Sequence, residues 1–274
     1  MCNMARRIPA SMFLCLIVAL SAADNSGICF AAAEDGWGTL RGRFVITGDI
    51  PKQETLDVTR DEEVCGLPGL KDESLLINAE NRGIANVVIF LDSRDTVPVH
   101  PALTKAASKP AVLDNKDCRF VPRVVRVQTG QTLRMLNNDP VVHNAAAYLR
   151  RSIPFNEIIP TAKPSERVIG KAERGPARVD CSIHPWMRAW LVVLDHPYSV
   201  ITDADGNFEL RDIPTGEHTF HLWHERSGSL SRAVMDGAIL ETERGRLTLD
   251  IPDGGVLDLG KIQVTAEQLT GSSK

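Results

Sequence analysis

The chain has 274 residues, 31 basic and 35 acidic, for a formal charge of −4; 43% of its residues are hydrophobic, enough for a real core in one large or two modest domains. No block of basic residues occurs, so nucleic acid is excluded as the expected partner, and the weak negative charge favours at most a basic docking partner.

The first 33 residues read as an address rather than as fold. Arg6 and Arg7 precede an apolar run over residues 11–23, too short to span a bilayer comfortably, and Ala31-Ala32-Ala33 supplies small residues for a peptidase. The expectation is a secretory signal peptide cut after Ala33, with a cut after Ala23 and retained anchoring as alternatives. A mature chain of this kind is periplasmic or secreted and carries no membrane span.

Six cysteines are present, and Cys2, Cys15 and Cys29 leave with such a leader. Cys65, Cys118 and Cys181 remain. An odd number in an exported protein calls for one special thiol. With Cys181 in that role, Cys65 and Cys118 are expected to form a disulfide in an oxidising compartment, two separate buried thiols being the alternative.

In chain order, residues 38–48 (GTLRGRFVITG) alternate as a strand, and residues 84–91 (IANVVIFL) are apolar and β-branched, as a buried strand should be. A polar loop holding Cys65 lies between them, and residues 98–110 read as a linker. Residues 122–127 (PRVVRV) and 132–136 follow as strands around Gly130. Val179 leads into the Cys181 loop, and residues 189–194 (AWLVVL) leave it. Residues 198–202 run into the turn signal Asp203-Ala204-Asp205-Gly206-Asn207. Residues 208–211, 218–225, 247–251 and 257–264 complete the strands, and residues 266–274 are expected to be a frayed polar tail. No long segment has a helical period, so the fold class is all-β.

The chemistry is concentrated in two loops. Cys181-Ser182-Ile183-His184-Pro185-Trp186-Met187 places a thiolate, an imidazole and a thioether on one short connection between strands. The upstream loop Asn138-Asp139-Pro140-Val141-Val142-His143-Asn144 offers a second imidazole. His143, Cys181 and His184 with a weak axial Met187 make the ligand set of a mononuclear blue-copper site, which holds one copper ion and cycles between Cu(I) and Cu(II). Asn144 is placed to brace the ligand loops through hydrogen bonds, and Pro185 shields the His184 side. Trp186 is expected to be an exposed aromatic over a His184 edge where a redox partner protein docks, packing under the companion domain being the alternative.

Residues 111–194 resemble a complete cupredoxin of the plastocyanin/amicyanin family. The strand and turn ending at Gly130, the Asn-x-Asp-x-x-x-His-Asn loop and the Cys-x-x-His-Pro-Trp-Met loop stand in that family's order, and the two-residue gap before Met187 is nearest to amicyanin. The resemblance implies a Greek-key sandwich over residues 108–196 and one-electron transfer. Residues 198–225 resemble a carboxypeptidase regulatory-like, transthyretin-like repeat: Thr202-Asp203-Ala204-Asp205-Gly206-Asn207-Phe208 is followed by a Pro214-Thr215-Gly216 turn. Such modules begin with strands like residues 38–48 and 84–91. The expected organisation is therefore a companion sandwich made of residues 36–95 and 198–265 with the cupredoxin inserted, sequential modules being the alternative.

His218, His221 and His224 do not point one way along a strand, so structural roles are expected for them. Asp203 and Asp205 read as a turn cap rather than a Ca²⁺ site. No nucleophile triad, phosphate loop or second copper cluster is present, so the expectation is a carrier and not an enzyme. Copper delivery or sensing outside the cytoplasm, and an envelope module with incidental copper, are the alternatives.

Overall fold

The computed structural model describes residues 36–271 except 68, 105 and 236. The expected leader lies outside the described residues. Among those described, no helix is long and apolar enough to cross a membrane.

The strands before the linker are β1 (Trp37–Thr47) and β2 (Val88–Leu91). Then come β3 (Ala111–Lys116), β4 (Arg119–Val121), β5 (Val124–Gln128), β6 (Thr132–Asn137), β7 (His143–Ala147), β8 (Phe155–Ile159), β9 (Ser165–Val168), β10 (Ala177–Asp180) and β11 (Arg188–Leu194). The last group is β12 (Ser199–Ile201), β13 (Asn207–Pro214), β14 (Gly216–His224), β15 (Gly228–Ser229), β16 (Arg232–Met235), β17 (Ala238–Glu241), β18 (Arg246–Ile251) and β19 (Val256–Thr265). The described residues also hold two short α-helices, α1 (Glu62–Cys65) and α2 (Ala266–Thr270), and two single-turn 3-10 helices (Pro101–Leu103 and Ala106–Ser108), and the fold is all-β in class.

Pairing divides these strands into two sandwiches. β1 pairs with β13 and, in parallel, with β19, in a sheet of order β13-β1-β19-β16-β17. β2 pairs with β12 and β14 in the facing sheet. The chain leaves this frame after β2 and rejoins it at β12. In between, β5-β11-β10-β7-β8 and β4-β3-β6-β9 form two further sheets. Each sandwich closes over its own core: Leu40, Phe44, Ile89, Tyr198 and Phe220 in the first, Leu113, Phe120, Leu133, Met135 and Leu191 in the second.

The two continuous apolar runs now have a physical reason. Successive strand side chains point to opposite faces. Ile89 and Leu91 of β2 fill the first core, while Val88 and Phe90 enter a third cluster. Leu191 and Val193 of β11 fill the second core, while Val192 and Leu194 enter that same third cluster. The sandwiches thus pack sheet against sheet, and strands buried on both faces lose their polar alternation. Arg123 on one side locks this junction with a two-pronged pair to Glu225 on the other (2.8 and 2.9 Å), and the Trp190 indole N–H also donates to Glu225 (3.0 Å).

The turn after β12 is a cap, as its sequence implies. Asp203 Oδ1 accepts the N–H groups of Asp205 and Asn207 (2.9 and 2.8 Å). Gly206 has a φ of +80°, and a Cβ there would sit 2.1 Å from the Phe44 carbonyl oxygen, so only glycine fits. One expectation fails: residues 266–270 are not a frayed tail. Thr265 and Gln268 form a reciprocal capping box, and Leu269 is buried in the first core, so the polar segment is held as α2.

Candidate metal centre

The antiparallel pairing of β7 with β10 brings the start of one strand against the end of the other. His143 opens β7, and Cys181 follows the last residue of β10, so both arrive at the same end of the sheet. The connection from β10 to β11 is closed on itself: Cys181 N–H donates to Met187 O (3.2 Å), and Met187 N–H donates to His184 O (2.9 Å). This folds His184 back over Cys181.

The result is one buried cluster. The Cys181 Sγ and one ring nitrogen from each of His143 and His184 lie within 4.8 Å of one another. The imidazole centroids are 4.5 Å apart, and Sγ is 3.7 Å from His184 Nδ1. Both histidines have no exposed surface, and Cys181 and Met187 are 2% exposed. Met187 packs in the same core as Cys181.

Each imidazole is held from behind by a carboxylate. His143 Nε2 donates to Asp139 Oδ2 (2.9 Å), and His184 Nε2 donates to Asp61 Oδ2 (2.8 Å). That leaves Nδ1 as the free ring nitrogen of each. His143 Nδ1 is buried and has no hydrogen-bond partner. A buried polar atom left unpaired costs roughly 1–3 kcal/mol unless something fills its place.

Asn144 braces the two loops from the side. Its Oδ1 accepts from Ser182 N–H (2.8 Å), Ile183 N–H (3.3 Å) and the Cys181 thiol (3.3 Å), and its Nδ2 donates to Asn156 Oδ1 (2.6 Å). Burial pushes the Cys181 thiol up, but the neighbouring His143 and His184 imidazoles, with the backbone of Asn144 and His184, outweigh it and bring the thiol down to about 6. Burial pulls His184 down, but Cys181 and Asp61 outweigh it and raise the imidazole.

This donor set fits a transition-metal ion. One thiolate with two imidazoles suits copper or zinc, and carboxylates behind the imidazoles fix which nitrogen faces the ion. Cys118, Asp139 and His143 also lie within 4.8 Å of one another, but Cys118 is bonded to Cys65 and offers no thiolate.

The disulfide Cys65–Cys118 is present, with Cα atoms 5.4 Å apart. It ties α1 to the turn between β3 and β4. Asp139 accepts from Asp117 N–H (2.7 Å) and Cys118 N–H (2.9 Å) in that turn. Asp61, which precedes α1 without capping it through its side chain, reaches His184 across 123 residues of sequence. Asp61, Asp117 and Cys118 have left-handed backbone (φ 46°, 53° and 53°), which aspartate tolerates better than cysteine.

Two expectations are corrected by this arrangement. The His184 edge is not at the surface: Asp61 and the loop behind the disulfide cover it. Trp186 is not an exposed docking ring. It is half-buried, packs against Cys65, Leu70 and Cys118, and donates its indole N–H to Cys118 O (3.1 Å). Pro185 is exposed beside it. Sequence reasoning also passed over Asp139 and Asp61. Asp139 stood in the same loop motif as His143; Asp61 carried no signal.

The other histidines do not converge. His218 Nε2 donates to Pro214 O (2.8 Å), His221 Nε2 pairs with Ser229 Oγ (2.8 Å), and His224 Nδ1 accepts from Arg226 N–H (3.3 Å).

No family model matches the chain, and no curated protein matches it either. Solved structures similar to part of it include a copper-containing nitrite reductase from Thermus scotoductus SA-01, at 22% identity and a TM-score of 0.29, over 35% of this chain and 27% of that one. The chain therefore spans about a quarter of that enzyme's length. A purple cupredoxin from Nitrosopumilus maritimus is similar at 22% identity and a TM-score of 0.26, over 31% of this chain and 97% of that one. Amicyanin from Paracoccus versutus is similar at 22% identity and a TM-score of 0.27, over 38% of this chain and 96% of that one.

Proposed function

We propose that His143, Cys181 and His184 hold a single copper ion, with Met187 as a weak axial donor, and that the protein carries electrons one at a time outside the cytoplasm. The observation behind this reading is the convergence of a thiol and two Nδ1 atoms on one buried point, with the His143 Nδ1 left without any other partner. When bound, copper supplies a one-electron couple at little cost in rearrangement, and the protein's part is to keep the donors still. Asn144 fixes the Cys181 loop, Asp139 and Asp61 fix the imidazole tautomers, and burial excludes water. A disulfide beside the site accords with an oxidising, extracytoplasmic location. Electron carriage rather than catalysis fits a site whose four side chains are all buried.

A second reading has one observation in its favour. Both imidazoles are fully covered, and Asp61 seals the outer one. A sealed site suits copper holding and delivery as well as docking-based exchange.

Titration with Cu(II) tests both. The expected result is one equivalent bound with an intense visible thiolate-to-copper band, which Cys181→Ser abolishes because a hydroxyl does not replace a soft thiolate. A colourless Cu(II) complex of the unaltered protein sinks the assignment. Fast, reversible voltammetry then favours the carrier; rapid surrender of Cu(I) to a chelator with a sluggish couple favours delivery.

A further inference from the structure

The second sandwich has another built feature at its opposite end. β7 begins at His143 and β10 ends beside Cys181, so the residues after β7 and before β10 lie away from the histidine–thiol cluster. There, Tyr148, Arg150, Arg151, Arg174, Arg178 and Trp190 line a recess of about 650 Å³. From this arrangement we propose a binding site for a small organic polyanion, one bearing two or more carboxylate or phosphate groups.

The recess carries an excess of positive charge. Arg150, Arg151, Arg174 and Arg178 line it with one carboxylate, Glu173, and a second carboxylate, Asp180, pairs among these with Arg178 alone. The Glu173 carboxylate is buried, and its oxygens are turned to backbone: they accept from the N–H groups of Arg150 (3.1 Å), Arg151 (2.9 Å) and Ser152 (2.9 Å). Glu173 therefore fixes the loop that carries the arginines without pairing with their side chains. Ser152 and Lys171 tie the same loop down by reciprocal bonds (3.0 and 3.1 Å). Among the described residues, the guanidinium groups of Arg150, Arg151 and Arg174 have no hydrogen-bonded or ion-paired partner. Arg178 is paired with Asp180 (3.0 Å) and lies 4.7 Å from the centre of the Tyr148 ring.

Like charges gathered in a concave, preorganised place raise the local potential for an anion. Guanidinium forks match carboxylate and phosphate oxygens two at a time. The volume lies in the range of small-molecule sites, roughly 300–1,000 Å³, rather than of a flat protein interface. Tyr148 and Trp190 add aromatic faces for the body of an organic ligand. None of this draws on the histidine–thiol cluster, so the site stands or falls independently of copper.

Isothermal titration calorimetry of the full chain with citrate and with inorganic pyrophosphate tests it, with acetate as the singly charged control. Saturable binding of either polyanion, and weak or absent binding of acetate, is expected; citrate alone identifies a carboxylate site and pyrophosphate alone a phosphate site. Arg151→Gln and Arg174→Gln, checked by circular dichroism for an intact fold, should each weaken binding roughly tenfold, or about 1.4 kcal/mol. Arg41→Gln, at an ion pair in the other sandwich, should leave it unchanged. The proposal is overturned if neither polyanion binds, if the two recess variants bind as well as the unaltered protein, or if Arg41→Gln loses as much. Binding of a polyglutamate chain without either small anion overturns it too, since that result describes a protein-docking surface.

Discussion

Two pairs of buried histidines in this molecule meet opposite fates. His143 and His184 sit in the second sandwich beside a thiol, each with a carboxylate behind it. His221 and His224 sit on β14 in the first sandwich, where burial pulls both imidazoles down, His224 to about 4. Burial is nearly equal: His143, His184 and His224 are all 1% exposed or less. The partner makes the difference. A carboxylate at Nε2 prepares a ring to face a cation, whereas an apolar surround with arginines nearby keeps it neutral and inert.

The largest way to break this contrast is to cut the staple behind the first pair. The disulfide closes a loop of 53 residues, and Cys65→Ser/Cys118→Ser should lower stability by about 4 kcal/mol on the chain-entropy account. The His184–Asp61 contact should loosen with it, because α1 loses its tether. Denaturant unfolding measures the first effect and hydrogen exchange around His184 the second. An unchanged midpoint would mean the junction between sandwiches, not the disulfide, holds this loop.

The second pair offers a pH test of nearly the same size. His224 drops from an ordinary 6.5 to about 4, chiefly through burial. Above pH 6.5 the ring is neutral in both states. As pH falls toward 4, the unfolded chain binds a proton that the folded one refuses, so stability falls across that window by about 3 kcal/mol. His224→Gln should flatten this slope in pH-dependent denaturation. A slope that survives the substitution belongs to other groups.

The smallest change sharpens the contrast directly. Asp61→Asn turns His184 into a buried histidine without a carboxylate, as His224 is. Metal retention against a chelator should weaken by roughly 10- to 100-fold, while unfolding of the metal-free protein should move little. Nitrogen NMR of the metal-free variant should show the His184 tautomer mixed rather than single. Equal retention and an unmixed tautomer would leave Asp61 a surface contact only.

Much of the frame was legible in the chain. The runs at residues 84–91 and 189–194 announced buried strands because both faces of β2 and β11 are covered. Others were silent. β7 reads His-Asn-Ala-Ala-Ala, a poor strand by propensity, and is a strand because β8 and β10 pair with it on either side. α2 was hidden because its cap is polar and its anchor is the single residue Leu269.

The members of the cluster were a local matter. Cys181, His184 and Met187 lie within one loop, and residue type with short spacing singled them out along with His143 and Asn144. What surrounds them depended on the tertiary fold. Whether His184 met solvent or a carboxylate turned on where Asp61 and α1 lie, and that was decided by a disulfide and a contact spanning 123 residues. Contacts of that range follow no periodicity and leave no spacing to read. The same holds for the recess, whose arginines come from two separated segments brought together by the buried carboxylate of Glu173, with Trp190 added from a third. Local chemistry chose the groups; long-range packing chose their company, and through it how exposed, how charged and how rigid each one is.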